Sequence, residues 1–296
     1  MITDELMRDV RRLQLRTRRR VDALFAGEYH AAFKGQGVEF ADVRPYEPGD
    51  DVRAIDWNVT ARTRTPHIKR FVEERQLTLN LVVDVSASGK FGSGSRTLRR
   101  LAAETAAVLT LAAASNGDRV GAVLFSDRLE RHVPPRLGRT HTLRIIREIM
   151  GADPVGDGTD LPRALETAGR LHPRRSIIVL MSDLLIPEPQ LAATTRQARQ
   201  LTKRHEIVVA RLDDPALESL PRMGLLRVRD PETGTTAVVD TLSRRVMKRL
   251  TTDRENTIAR TERALQAAGC ELLALSTARP IGDDLASFFH RRERRR

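Results

Sequence analysis

From residue 77 onward, short apolar runs recur along the chain, and most are followed by a stretch of helical character. The runs are LTLNLVVDV (77–85), RVGAVLF (119–125), SIIVLMS (176–182), EIVVARL (206–212) and CELLALS (270–276). Helices are predicted over 96–115, near 140–150, over 161–171, near 188–203 and near 241–268, with a last one from about Asp283. A short strand over 130–135 is closed by Pro134 and Pro135, and a hairpin is predicted around 225–239. Continuous apolar runs suit strands covered on both faces, and strands separated by helices imply a mostly parallel sheet between two helical layers. The expected fold class is therefore α/β, a doubly wound, mostly parallel sheet. Such sheets bind ligands beyond the carboxyl ends of their strands, where the strand order reverses.

The chain before residue 77 reads differently. Leu6, Val10, Leu13, Val21 and Leu24 share one helical face with arginines around them, which predicts a basic helix over residues 1–26. Residues 27–76 carry Gly27, Gly35, Gly37, Gly49, Pro45, Pro48 and Pro66 among short β-like pieces. They are expected to form a small β-rich segment with a turn at Glu47-Pro48-Gly49-Asp50. Residues 77–296 are expected to be the main domain.

Charge narrows the class of partner. The net charge is +12, but residues 1–20 hold seven Arg against three acids, and residues 291–296 five Arg against one Glu. Each end thus supplies +4 and leaves +4 for the body. Basic ends on a near-balanced body suit an acidic partner, an anionic membrane surface or RNA, or simple solvation. No zinc-finger spacing or RNA-binding aromatic motif is present, so no specific nucleic acid is expected. No run approaches the ~18 apolar residues of a membrane span, and MITDELMRDVRR is charged where a signal peptide is apolar. The single Cys270 lies in an apolar run and is expected to be a packed thiol, so the expected setting is a reducing cytoplasm.

The chemistry concentrates at the end of the first strand. Asp84-x-Ser86-x-Ser88 puts a carboxylate and two hydroxyls at alternate positions, so all three can aim at one point. Thr159 in GDGTDL and Asp183 in LMSDLL are expected to complete the set from two further loops. Five hard oxygen donors suit Mg²⁺ (or Mn²⁺), and Mg²⁺ takes oxygens at roughly 2.0–2.1 Å. Three of the five are neutral, so an ion held there keeps affinity for an extra carboxylate, such as a partner's Asp or Glu. Asp160 is expected to cap the helix that starts at Leu161, with Pro162 in its first turn.

Residues 77–276 resemble a von Willebrand factor A domain, and Asp84, Ser86, Ser88, Thr159 and Asp183 match its metal-ion-dependent adhesion site position by position. A second resemblance rests on Gly35-x-Gly37-x-Glu39-Phe40-Ala41-Asp42-x-Arg44-x-Tyr46-x-Pro48-Gly49-Asp50-Asp51-x-Arg53-x-Ile55-Asp56-Trp57, followed by Ala61-Arg62. It is similar to the signature of bacterial proteins grouped as a domain of unknown function, number 58 in that series. Together the two cover nearly the whole chain after residue 27. The resemblance implies a von Willebrand factor A-like sheet, a Mg²⁺ adhesion site, and a role as adaptor or partner of a MoxR-type AAA+ ATPase in assembly or maturation of a client protein.

Other features bear on alternatives. Mg²⁺ and carboxylates at strand ends also occur in phosphoryl-transfer sites, so a Mg²⁺-dependent phosphoesterase is a second reading. Yet no base is placed near Ser86, and no enzyme is expected. Binding of nucleic acid or an anionic membrane by the Arg-rich ends is a third. Gly92-Ser93-Gly94-Ser95 lacks the Gly-Lys-Ser/Thr ending of a phosphate loop and reads as a flexible loop with a Ser cap. Trp57 and Asp56 are expected to be structural, with Trp57 in a core. The seven His show no zinc-site spacing.

Overall fold

The computed structural model describes residues 26–33, 38–73, 76–94, 96–156, 158–217, 220–232 and 234–295. The basic helix expected over 1–26 lies outside these residues apart from its last position. The chain divides into two units, one formed by residues 1–32 and 78–296, the other by residues 33–77.

The first unit is built on a six-stranded sheet. Its strands are β3 (Thr78–Asp84), β4 (Arg119–Phe125), β5 (Leu129–Arg136), β6 (Ile177–Ser182), β7 (Glu206–Asp213) and β10 (Glu271–Ser276). The spatial order is β10-β7-β6-β3-β4-β5. All neighbours are parallel except β4 and β5, which pair antiparallel at the edge. This is the doubly wound, mostly parallel arrangement that the sequence implied. Strand order reverses between β3 and β6, so the crevice at their carboxyl ends is the place where such a sheet binds a ligand. Every residue of β6 is buried, as is β3 from Leu79 onward, which is why their sequences read as unbroken apolar runs.

Helices cover both faces. On one face lie α5 (Leu161–Leu171), α6 (Glu188–Leu201) and α7 (Arg244–Ala267). Leu161, Leu165, Ala198, Leu201 and Leu265 of these helices pack with Val82, Val123, Leu180 and Val209 of the strands. α3 (Leu98–Ser115), α4 (Arg139–Met150) and α8 (Ile281–Glu293) form a second packed group, α3 meeting both α4 and α8. Cys270 sits in the core, and burial pushes its thiol up to about 12. α3 is capped by Thr97, whose side chain accepts from Arg100 N, rather than by a serine of the Gly-Ser loop. Asp160 caps α5 by accepting from Arg163 N at 3.0 Å, with Pro162 in the first turn, as its sequence position suggested. A separate two-stranded hairpin, β8 (Leu225–Arg229) with β9 (Thr236–Asp240), stands apart from the main sheet.

Other expectations change. The terminal arginines do not all project as a tail: Arg292 is buried, donates from Nε to Ala32 O at 2.6 Å, and pairs with Glu206 and with Glu271, the latter at 3.0 Å. An arginine with two acids and a carbonyl to satisfy it folds back into the body. The segment 27–76, expected as β-rich, has one helix at its start, α1 (Ala26–Phe33), and a second, α2 (Trp57–Thr63).

In the second unit, β1 (Val38–Pro45) and β2 (His67–Glu73) pair antiparallel. Asp56 caps α2 by accepting from Asn58 N and Val59 N, so its role is structural. Arg44 holds Asp50 with two hydrogen bonds, at 2.8 and 2.7 Å, which fixes the turn around Gly49. Gly49 has φ +110°, which only glycine adopts freely. Trp57, expected in a core, is 70% exposed. It is the first residue of a short helix, and the helix buries no residue.

Candidate metal centre

Asp84 is the last residue of β3, and the chain turns there into a short 3₁₀ turn over Ala87–Lys90. The Asp84 carboxylate is almost fully buried. Its Oδ1 accepts from Ser86 N at 3.0 Å and its Oδ2 from Ser182 Oγ at 3.0 Å. Ser86 stands at the cap position of the 3₁₀ turn, but its hydroxyl makes no capping bond. It lies instead 3.0 Å from Ser88 Oγ. The two hydroxyls are therefore not used up by local backbone, which was the bland alternative for a Ser-rich turn.

Asp183 follows β6, the parallel neighbour of β3. Its Oδ1 accepts from Leu185 N at 3.2 Å, and the Ser88 hydroxyl bonds to its carboxylate. The next residue, the buried Leu184, has φ 58°, a left-handed conformation that costs a branched side chain of order 1–3 kcal/mol. The Leu184 N–H reaches back to Ser182 Oγ at 3.3 Å, so the Ser182–Asp183–Leu184 turn is fixed from both sides. Strain of this kind persists where surrounding contacts impose it, and here it sets where Asp183 sits.

Thr159 comes from the loop before α5. That loop is tied down by Glu130, whose carboxylate accepts from Gly156 N at 2.9 Å and Val155 N at 3.2 Å and also binds Ser126 Oγ. A Cβ at Gly156 would meet Asp127 Oδ1 at 2.1 Å and Ser126 Oγ at 2.2 Å, so the loop passes close against both side chains. Asp160 N donates to Ser126 O at 3.0 Å beside Thr159. The Thr159 hydroxyl itself donates to Glu232 Oε1 at 3.0 Å. The structure links Asp84, Ser86, Ser88 and Asp183 by direct bonds or shared charge, and Thr159 joins them through Glu232, whose charge acts on Asp183.

The electrostatics are unusual for acids in a folded protein. Burial, and then the negative charge of Asp183, push the Asp84 carboxyl up to about 7, against the pull of the Ser86 and Ser182 bonds. Burial also raises Asp183, and Glu232 adds to this, while the Leu185 amide and the more distant Arg254 work the other way. Among the described residues no lysine or arginine forms an ion pair with Asp84 or Asp183. Nor do any three His, Cys, Asp or Glu side chains converge as a metal cluster. Two carboxylates at close quarters, framed by three hydroxyls, form an oxygen-only donor set, and that composition suits a hard divalent cation.

Three residues matter here that the sequence did not single out. Ser182 holds Asp84. Arg99, buried on α3, donates through Nη2 to the carbonyls of Val85 and Ser86, and through Nη1 to that of Ala152. It braces the Asp84–Ser88 turn and the loop toward Thr159 from behind. Its signal in sequence was only one of two adjacent arginines at the start of an alanine- and leucine-rich helix. Glu232 lies at the tip of the β8–β9 hairpin, where nothing local marks it.

Residues 42–260 of the chain match the family described as "Protein of unknown function DUF58". An uncharacterized protein of Mycobacterium bovis and one of Mycobacterium tuberculosis are each 34% identical over 289 residues, covering 96% of this chain and 89% of the relative. The structure is similar to that of the conserved hypothetical protein BatB from Bacteroides thetaiotaomicron, with TM-score 0.45 and 14% identity over 74% of this chain and 99% of that one. It is also similar to the SpRpn10 VWA domain, with TM-score 0.37 and 14% identity over 71% of this chain and 93% of that one. The chain belongs to the DUF58 family.

Proposed function

We propose that this DUF58 protein is a protein-interaction module whose contact is made through a divalent cation, Mg²⁺ or Mn²⁺, held by Asp84, Ser86, Ser88, Thr159 and Asp183. The observation that carries this reading is the buried Asp84 carboxylate beside the half-buried Asp183, which repel one another and form no ion pair with a lysine or arginine among the described residues, Arg99 and Arg254 acting on them only through charge. A buried charge without a partner is costly, and a bound cation would supply one. When bound, the ion would offer a Lewis-acidic point to an acidic side chain of another protein. The chain's own residues do the rest. Asp84 and Asp183 balance charge, the hydroxyls frame the ion without neutralising it, and Arg99 and Leu184 hold the two loops in place.

The reading is one of binding rather than turnover, and an acidic side chain is the chemistry the partner would bring. The partner class that the family resemblance implies is a MoxR-type AAA+ ATPase acting with its client. Among the described residues no helix is long and apolar enough to cross a membrane. The test is capture of such an ATPase by the full chain, with and without chelator. Capture that is lost with chelator and with Asp84→Ala, in a protein that still folds, is the expected result. Capture unaffected by both would dismiss a metal-bridged contact.

A further inference from the structure

Away from the crevice, a groove runs between α6 and α7, which pack against each other and are tied at both ends. At one end Arg260 Nη1 pairs with Glu188 Oε1 at 3.0 Å. At the other, just past the end of α6, the Thr202 hydroxyl donates to Ala268 O at 2.8 Å. Between these ties the facing residues are small, Ala192 and Thr195 on α6 and Ala264 on α7. They leave a groove of about 670 Å³, with the half-buried Leu191 in its lining. Beneath it Ala198, Leu201 and Leu265 belong to the packed core. Arg196 and Arg199 on α6, and Lys203 just beyond it, line the same side. They are exposed and stand at i, i+3 and i+7, a row along which like charges repel. Among the described residues none of the three forms an ion pair, and the one acid of the lining, Glu188, is already held by Arg260.

We infer that this groove is a second docking site, one that takes an acidic amphipathic helix of a partner protein. Apolar side chains of that helix enter between α6 and α7, and its carboxylates meet Arg196, Arg199 and Lys203. A helix laid into a groove of this kind is a recurrent mode of recognition, and ties at both ends mean that little ordering is needed on binding. The contact needs no cation and is independent of the metal reading above. Charge sign argues against the other occupants. The chain's own Arg-rich ends carry +4 each and are repelled by the row. A second copy meeting this face across a two-fold axis would bring the same three cations together. A flat bilayer does not reach the floor of a groove between two helices. A nucleic acid would satisfy the cations, but the lining offers no aromatic ring for a base to stack on.

The probe is a labelled peptide of about 15 residues made of Leu, Ala and Glu, with leucines three and four residues apart so that they share one helical face. Its binding to the full-length protein is followed by fluorescence anisotropy in the presence of EDTA, which silences the metal centre. The wild type is expected to bind it. The triple variant Arg196→Glu, Arg199→Glu, Lys203→Glu should bind roughly 10–100-fold more weakly, the combined effect of three exposed charge pairs. A peptide with Lys in place of Glu should regain binding to that variant. Ala264→Phe, which fills the groove and changes no charge, should also weaken binding. Thermal melting confirms that the variants are folded. No binding by the wild type, equal binding by the triple variant, or unchanged binding by Ala264→Phe would overturn the inference. Equal binding of a peptide with Ser in place of Leu would do so too, and would mark a general polyanion surface. Binding of phosphatidylglycerol vesicles but not of the peptide would mean that the row faces lipid, and the inference would be wrong. None of these outcomes bears on the metal centre, which is decided by its own titration.

Discussion

Asp84 and Asp213 occupy corresponding places, each the last residue of a parallel strand at the same end of one sheet. Their surroundings are opposite. Asp213 is clamped by two arginines, Arg211 and Arg254, each at 2.6 Å. Its neighbour Asp214 is also provided for. Burial would push its carboxyl up, but bonds from Thr277 Oγ1 at 2.6 Å and Ser93 N at 3.1 Å outweigh this and hold it low. Asp84 and Asp183 receive only hydroxyls and amides, and each carboxyl is raised. The β7 end is a finished salt-bridge network that fastens α7 to the sheet. The β3–β6 end holds acids that form no ion pair with a lysine or arginine among the described residues. Acids at strand ends are therefore not equivalent: arginines form direct ion pairs with Asp213, whereas Arg99 and Arg254 act on Asp84 and Asp183 only through their charge.

The largest effect should come from exchanging one acid at each end. Asp84→Asn should abolish Mn²⁺ binding, a loss of at least ~100-fold by calorimetry, and leave the metal-free protein as stable as wild type or more so, because it removes an unpaired buried charge. Asp213→Asn should do the reverse. Mn²⁺ binding should persist, while chemical denaturation should show a loss of roughly 1.5–3 kcal/mol, the cost of weakening charged hydrogen bonds to two half-buried arginines, of which Arg211 keeps Glu262. If both substitutions destabilised the metal-free fold alike, the contrast between the two ends would be false.

Removing the brace of the open end comes next. Arg99→Met should lower Mn²⁺ affinity by about 10–100-fold while leaving all five donors in place, as expected for a group that orients ligands. An unchanged affinity would mean that the Asp84–Ser88 turn holds its shape without that guanidinium.

A third effect separates the ends by pH. Because the folded-state Asp84 carboxyl is raised from its ordinary 3.8 to about 7, the folded protein holds a proton that the unfolded chain has already lost. That contribution is fully present below about pH 4 and is lost as pH rises to about 7. Metal-free stability, followed by denaturation at several pH values, should carry this decline in wild type and lose it in Asp84→Asn. Mn²⁺, which must displace the proton, should bind more tightly as pH rises over the same window. The smallest effect belongs to the finished end: Thr277→Val removes one hydrogen bond to Asp214, which keeps those of Ser93 N and Ala216 N, and should cost about 0.5–1.5 kcal/mol, with Mn²⁺ binding unchanged.

Much of this was legible before any coordinates. Apolar runs marked the parallel strands because strands buried on both faces leave no room for polar alternation, and Asp84, Ser86 and Ser88 were legible because they share a turn. Asp183 could be named because it lies at the end of a strand of the parallel sheet, and Thr159 because its Gly-Thr-Asp triplet matches the adhesion-site pattern of the family resemblance. What was not legible depended on distant partners. Arg292 looked like part of a solvated basic end and nothing in sequence marked Arg99, and only the carbonyls and acids that meet them show their roles. Glu232 lies 73 residues from Thr159, in a turn whose own sequence needs no carboxylate pointing inward. Trp57 was misjudged because a large aromatic is usually buried, whereas here it opens a short helix that covers nothing.

The most direct measurement is a calorimetric titration of Mn²⁺ into the wild-type protein, Asp84→Asn and Asp213→Asn at pH 7.5, a value set about half a unit above the Asp84 carboxyl. Binding by the wild type and by Asp213→Asn, with none by Asp84→Asn, is what the open β3–β6 end predicts. No heat of binding in any of the three, or equal binding in all three, would contradict it.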